Sequence, residues 1–468
     1  MAVLLFFGMA YPHHLHYQEQ YQLFLFDSTY VSEIVCHPGG VADLLGRFCT
    51  QFFLFAWVGA LIIALLLSAV QLMTARLLTN HLSPLTSHLF YGLSFVPSFL
   101  LWIFLLDENA LLSGVWAVLI TLLVGSAVVP PALGARTSSS ASRRWLRYVL
   151  LIAAIPILYI LVGPVCLPIP IDSLWLGVHY YRYPAVFPWL LWAAALSVYV
   201  LWAIALLVRR RKQHFSHISP IISYLSFALV ATVMGFLVWK NANFKAEKVM
   251  QYDFMARHQQ WNRILEAINA EKPNNQIGVT VQNLALAMHG VLLEQMFNYN
   301  QNGLAGLLPD VKEDATSPLP TAEAFYQLGM INVAQRTVFE AQEAILDFQK
   351  SGRCYKRLAQ TNLINGNYAV ARKYLSALQK TLFYSDWADE TLPLLGDEEA
   401  IARHPEYGRL RQWAYNDNFY FSDHVTPEML ESLYEANPDN RLAYQYLLAY
   451  YLLTGDRERY NRFISTKP

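Results

Sequence analysis

Residues Phe52–Leu72 read FFLFAWVGALIIALLLSAVQL, and not one of them carries a charge. A helix needs roughly 20 apolar residues to cross the hydrocarbon layer, so this stretch predicts a membrane span. Five further stretches share its character: Leu89–Leu106, Leu112–Leu133, Leu146–Cys166, Phe187–Val208 and Pro220–Trp239. Each is bounded by charge, proline or an aromatic residue, and their interiors are almost free of ionisable groups. Trp102, Trp145, Trp189 and Trp239 stand near span ends, where amphipathic rings prefer the headgroup level. Pro97 and Pro156 fall inside spans and predict kinks, which a bundle tolerates when neighbours satisfy the freed carbonyls. Buried helices of a soluble protein would need charged faces that these segments lack. Met1–Tyr11 is apolar but too short to cross, with no basic residue before it as a signal peptide requires. A shortened seventh span is the expectation there.

Basic residues in short connections set the orientation. Arg76 follows the first span; Arg136, Arg143, Arg144 and Arg147 fall two connections on, and Arg209, Arg210, Arg211 and Lys212 two further. The intervening connections are poor in positive charge, with Asp107 and Glu108 in one and Asp172 and Arg182 in another. Pro12–Gln51 has one basic residue, Arg47, against Glu19, Asp27, Glu33 and Asp43. The basic connections are therefore expected in the cytoplasm. The loop Pro12–Gln51 and everything after Trp239 are expected outside, in the periplasm of a bacterial inner-membrane protein.

The 468 residues are 55 % hydrophobic, but that average hides two populations. Up to about Trp239 the text is Leu, Val, Ala, Phe and Trp; from Lys240 it becomes charged, amide-rich and tyrosine-rich. The organisation expected is an N-terminal segment and outer loop over 1–51, a transmembrane domain over 52–239 and an extracytoplasmic helical domain over 240–468. Thirty-four basic and 34 acidic side chains cancel, so no global field favours nucleic acid. Cys36, Cys49, Cys166 and Cys354 stand singly, outside any CxxC pattern, which indicates neither zinc nor a dithiol centre. Gly-rich phosphate loops, GxSxG and the kinase set are missing from the text, and no cofactor is expected. No charge inside the spans marks an ion or proton pathway.

In the tail, apolar residues recur at helical spacing in a repeated layout of one helix, a Gly or polar turn, and a second helix. Phe325, Leu328 and Gly329 are followed by Ala341 and Ile345; Tyr355, Leu358 and Ala359 by Gly366, Tyr368, Ala371 and Leu375; Tyr444, Leu447 and Leu448 by Gly455, Tyr460 and Ile464. Trp261, Ile264 and Pro273 resemble the second half of another unit. This pattern resembles the tetratricopeptide repeat, a helix pair of about 34 residues. One pair cannot bury its apolar stripe alone, and stacked pairs build a continuous core and a concave face. The fold class expected is therefore all-α: a polytopic transmembrane helix bundle followed by a soluble, tetratricopeptide-like repeat domain. The aromatics Trp413, Tyr415, Phe419, Tyr420 and Phe421 flank Asp417 and Asn418 in an apparent break. Trp413, Tyr415 and Tyr420 are candidates for binding a sugar or peptide, against the plainer expectation that such rings pack in a core.

The loop Pro12–Gln51 is the most unusual segment. His13, His16 and Glu19 could meet on one helical face, but their spacing is not HExxH, and no metal is expected. Pro38-Gly39-Gly40 predicts a tight turn in which glycine supplies a positive φ. Membrane glycosyltransferases that use polyprenyl-linked sugars carry an acidic residue in their first outer loop and often end in a soluble outer domain. Glu19 resembles that residue in placement, with Asp27, Glu33 and Asp43 as alternates, and the resemblance implies a general base or a metal partner. The chain departs from that pattern in lacking a paired Asp-x-Asp and in its low span count.

The chain also resembles a family of bacterial envelope proteins of Bacteroidota type. The residues that carry this are Glu19-Gln20-Tyr21-Gln22-Leu23-Phe24, the Pro-Gly-Gly turn, Ser351–Ala359 and Asn362-Leu363-Ile364-Asn365-Gly366. The resemblance implies a membrane address and an outer helical domain, with no assigned activity. The function expected is a non-catalytic platform, set in the lipid bilayer and displayed to a periplasmic protein or glycan-assembly partner. The alternative is a polyprenyl-sugar-dependent transferase acting on a lipid-linked glycan.

Overall fold

The computed structural model describes residues 1–37, 39–79, 90–128, 187–210, 220–310, 317–345, 349–415 and 426–465. The expected span Leu146–Cys166, the basic residues Arg136, Arg143, Arg144, Arg147, Arg211 and Lys212, and Tyr420 with most of its aromatic cluster lie outside them. Every regular element among the described residues is helical. The chain divides into two compact units, one of residues 1–19 and 27–244, the other of 20–26 and 245–468.

In the first unit, Ala56–Thr79 is a helix of 24 residues, long and apolar enough to cross a membrane. The other described apolar stretches form the helices Val96–Phe104, Leu112–Val128, Trp189–Arg210 and Pro220–Asn241. The helical stretch over 90–104 is interrupted at Ser94 and Phe95, and Pro97 sits in the first turn after the break, the position where a missing N–H costs least. Two side-chain hydrogen bonds tie Ala56–Thr79 to the segment around Val96–Phe104: Gln71 Nε2 donates to Ser94 Oγ at 3.0 Å and Ser98 Oγ to the Leu67 carbonyl at 2.8 Å. Such bonds between helices act as glue where no water competes.

The segment expected to be an outer loop is itself folded. It forms the helices Pro12–Glu19, Ser28–Val35 and Gly40–Thr50. Asp27 caps the second, accepting from the N–H groups of Thr29 at 2.9 Å and Tyr30 at 3.3 Å, which satisfies orphan donors of the first turn. Gly39 has φ +74° at the start of the third helix, as the turn requires. A Cβ on Gly40 would lie 2.0 Å from the Ile34 carbonyl oxygen. Met1–Tyr11 becomes a short helix and a π-type turn in which Phe7 and Tyr11 are buried.

The second unit is a succession of helix hairpins. Pro318–Leu328 pairs with Ile331–Ala344, Gly352–Ile364 with Tyr368–Leu378, and Arg441–Thr454 packs against Pro427–Ala436 and Arg457–Ser465. The turns anticipated at Gly329, Gly366 and Gly455 all take positive φ, +89°, +76° and +73°, the left-handed cap that ends many helices. Asn275, Ser351, Asp397 and Asn440 cap helix starts through their side chains. Phe325, Leu328, Leu358, Ala359, Ala371 and Leu447 are buried, whereas Tyr355, Tyr368, Tyr444 and Tyr460 are half-buried and Ile464 is 42 % exposed. Pro318–Leu328 is buried at every position, Thr321, Glu323 and Gln327 included. An amphipathic stripe cannot account for those polar residues, and each needs a partner inside.

Candidate functional site

The polar centre of the second unit is built around the helix Gly352–Ile364. Its N-terminus is set by Ser351, whose hydroxyl accepts from Cys354 N–H at 3.1 Å. The first turns then place Arg353, Lys356 and Arg357 three and four residues apart, on neighbouring positions of the helix surface. Gly352 is small enough for the Tyr384 ring to close on it; a Cβ there would lie 2.7 Å from the ring.

Arg353 is buried and meets Asp253 through a fork, Nη1 to Oδ2 at 2.6 Å and Nη2 to Oδ1 at 2.8 Å. The same Nη1 donates to Gln20 Oε1 at 2.9 Å. Two parallel charge-assisted bonds of this kind fix direction as well as add energy. Arg357 pairs with Glu323 and lies 3.6 Å from the centre of the Tyr326 ring. Glu323 also accepts from Gln327 Nε2 at 3.0 Å. The carboxylates of two other helices thus neutralise two of the three cations.

Gln20 belongs to an irregular stretch, Gln20–Phe26, built into this unit. Leu23 N–H donates to the Lys350 carbonyl at 2.8 Å and Phe26 N–H to the Lys380 carbonyl at 2.7 Å. Lys350 precedes one helix of a hairpin and Lys380 follows its partner, so the stretch lies across the hairpin's open end. Leu23 packs with Ala359, Leu375, Leu378, Tyr384 and Ala388. Gln20, Tyr21, Gln22, Leu23 and Phe24 are all buried, and buried backbone persists only where its polar groups find partners. Glu19–Phe24 and Ser351–Ala359, the two halves of this contact, both carry the family resemblance, but nothing in the sequence joins them.

The residues singled out from sequence fall in several places. Glu19 ends its helix and is 5 % exposed. Of its alternates, Asp27 is a helix cap, Glu33 is exposed, and Asp43 forms an ion pair with Arg47 at 2.7 Å. The rings of His13 and His16 adjoin, with 3.3 Å between their Nδ1 atoms. Among the described residues, no three His, Cys, Asp or Glu side chains gather as a metal site. Trp413 and Tyr415 are half-buried against the main core of the second unit, Trp413 lying beside Gly329 with Arg409 over its ring at 5.1 Å. The described cysteines, Cys36, Cys49 and Cys354, are free thiols.

His14, which sequence reading passed over, is fully buried in the first unit with Nε2 2.9 Å from the Leu105 carbonyl. Burial pulls its pKa down to about 4, against smaller upward pulls from that carbonyl and from Asp107. Its position between His13 and His16 concealed it, because adjacent helical positions look to different sides.

No curated protein and no solved structure matches this chain. Over residues 1–467 it matches the family of unknown function DUF6057, and it belongs to that family.

Proposed function

We propose that this chain is a multi-pass protein of the bacterial inner membrane. On this reading its tetratricopeptide-like tail is a non-catalytic platform for a periplasmic protein or glycan-assembly partner. The observation that carries the reading is the grip on Gln20–Phe26. Main-chain bonds from Leu23 and Phe26, a side-chain pocket for Leu23 and the Arg353–Gln20 contact hold a length of peptide against a helix hairpin. Main-chain bonds for affinity and pockets for selectivity are how domains capture peptides, and stacked helix pairs offer such surfaces repeatedly. The path of the chain supports a common side of the bilayer for loop and tail. Gln20–Phe26 is flanked in sequence by loop residues yet is part of the tail's unit.

The test is a pair of C-terminal fusions with photocrosslinking in the full-length protein. Alkaline phosphatase should be active at the C-terminus and a fluorescent protein dark. A crosslinker at Val370 or Phe339, 43 % and 50 % exposed, should capture one envelope protein reproducibly. A fluorescent cytosolic tail, or crosslinks to lipid alone, would overturn the reading. The transferase alternative needs the Glu19 carboxylate to meet substrate, and that side chain is buried. Glu19→Gln should therefore complement a deletion strain fully, and failure with normal protein levels would return the transferase to first place.

A further inference from the structure

The helix Gly40–Thr50 carries its polarity the wrong way round for a helix in water. Asp43 and Arg47 form an ion pair of 2.7 Å on its inner side, their side chains 12 % and 17 % exposed. Thr50 and Gln51 are buried too. Each is bonded back to a carbonyl of its own turn, Thr50 Oγ1 donating to Gly46 and Gln51 Nε2 to Phe48, both at 2.9 Å. The two exposed side chains of this helix are apolar, Val41 at 55 % and Phe48 at 38 %, with Leu44 and Leu45 half-buried between them. Steps of three, four and seven residues put these four on one stripe. A surface helix of a soluble protein shows the reverse, with charge outward and the apolar stripe inward.

Gly46 fixes which side is inward. A Cβ there would lie 2.6 Å from the backbone N of Ser113, so the helix rests directly on the first turn of the helix Leu112–Val128. The neighbouring helix Ser28–Val35 has ordinary polarity, with Ser28, Thr29, Ser32 and Glu33 exposed. The inversion therefore belongs to one helix and not to the whole segment. The outward stripe also continues along the chain. Beyond the turn Gln51–Leu54, Val58, Leu61 and Leu65 are 40 %, 46 % and 60 % exposed on the helix Ala56–Thr79, the one long and apolar enough to span. Gly40–Thr50 has 11 residues, about 16 Å at the α-helical rise, and cannot cross a hydrocarbon layer of about 30 Å. Polar groups turned inward and bonded internally are nevertheless what lipid demands of a helix it touches.

We propose that Gly40–Thr50 is an interfacial helix set into one leaflet of the bilayer, its Val41–Phe48 stripe against phospholipid acyl chains. An apolar face continuous with that of a span is buried by the lipid that covers the span, and helices too short to cross lie in the interface in this way. Pairing of Asp43 with Arg47 removes the net charge that such a position would penalise. This inference rests on the multi-pass reading above, and the experiment carries a separate position for each.

p-Benzoylphenylalanine replaces Val41, Phe48, Leu65 or Ser32 in the full-length protein, reconstituted in vesicles of phosphatidylethanolamine and phosphatidylglycerol. After irradiation, adducts are identified by mass spectrometry. Position 48 already holds an aromatic ring and Val41 is open to the outside, so neither replacement needs internal room. Val41 and Phe48 should give adducts attached through the acyl chain, in yields comparable with Leu65, and Ser32 should give none. Adducts at Leu65 with none at Val41 and Phe48 would overturn the inference and leave the membrane reading standing. Lipid at none of the four positions would remove the membrane reading and the inference with it. Crosslinked dimers in place of lipid adducts at Val41 and Phe48 would assign the stripe to a second copy and overturn the proposal. Equal yield at Ser32 would do so as well, because lipid contact would then not follow the inverted polarity.

Discussion

Arg353 and Asp253 face each other across the interior of the second unit as a forked ion pair, with side chains 8 % and 10 % exposed. The pair joins the helix Phe244–Arg257 to the helix Gly352–Ile364, and through Gln20 it also engages the stretch Gln20–Phe26. Three stretches of chain far apart in sequence meet at one guanidinium.

Removing one half of that pair leaves the other charge buried without a counterion. Arg353→Met should cost about 3–5 kcal/mol, whereas Arg353→Met with Asp253→Leu should recover most of the loss, because desolvation offsets much of a buried pair's attraction. Denaturation midpoints of the three proteins check this. A single variant as stable as wild type would mean that the fork contributes little to the fold.

Leu23 anchors the stretch Gln20–Phe26 by packing in the hairpin pocket. Leu23→Ala should lower stability by roughly 2–3 kcal/mol, the usual cost of truncating a buried leucine. Leu23→Asp should release the stretch, so that limited proteolysis of the full-length protein cuts within residues 20–26 while wild type resists. Equal resistance would show that the backbone bonds alone hold it.

His14 links stability to acid. Its folded pKa of about 4 lies below the ordinary value of 6.5. Between those values the unfolded chain binds more protons than the folded one, so stability rises with pH across that window. The contribution is complete above about pH 6.5 and is lost as pH falls toward 4, a swing of about 3 kcal/mol. His14→Gln should flatten the pH dependence of unfolding between pH 4 and 6.5. An unchanged slope would assign the acid sensitivity to other groups.

Two turn glycines should respond unequally to alanine. Both Gly329 and Gly455 have positive φ, but a Cβ on Gly329 would lie 2.9 Å from Trp413 Cβ, whereas Gly455 has open space. Gly455→Ala should cost about 1 kcal/mol from backbone strain alone. Gly329→Ala should cost clearly more, since the Trp413 side chain and its backbone must also move. Thermal melts of the two variants compare them directly, and equal losses would remove Trp413 from the account.

Local patterns in the text carried a good part of this architecture. Uncharged runs such as Phe52–Leu72 foretold helices, and the described ones are helical. Gly329, Gly366 and Gly455 marked turns, because only glycine takes a left-handed cap freely. Gly39 was legible for the same reason. The spacing of Phe325, Leu328, Leu358 and Ala359 announced a helical core, since helical periodicity is visible within a few turns of one segment.

The charged interior was not legible. Nothing near Arg353 in the text names Asp253 or Gln20, the latter 333 residues away, because a buried charge takes whichever partner the packing of distant helices brings to it. For the same reason the segment Pro12–Gln51 read as one outer loop, whereas Gln20–Phe26 is built into the tail's unit and its flanks into the other. Periodicity within a segment is a local property and the amino-acid order suffices to determine it. Which cation is neutralised, as Arg353 and Arg357 are, and which has no ion pair among the described residues, as Lys356 has none, depends on contacts between elements, and only the tertiary structure decides that.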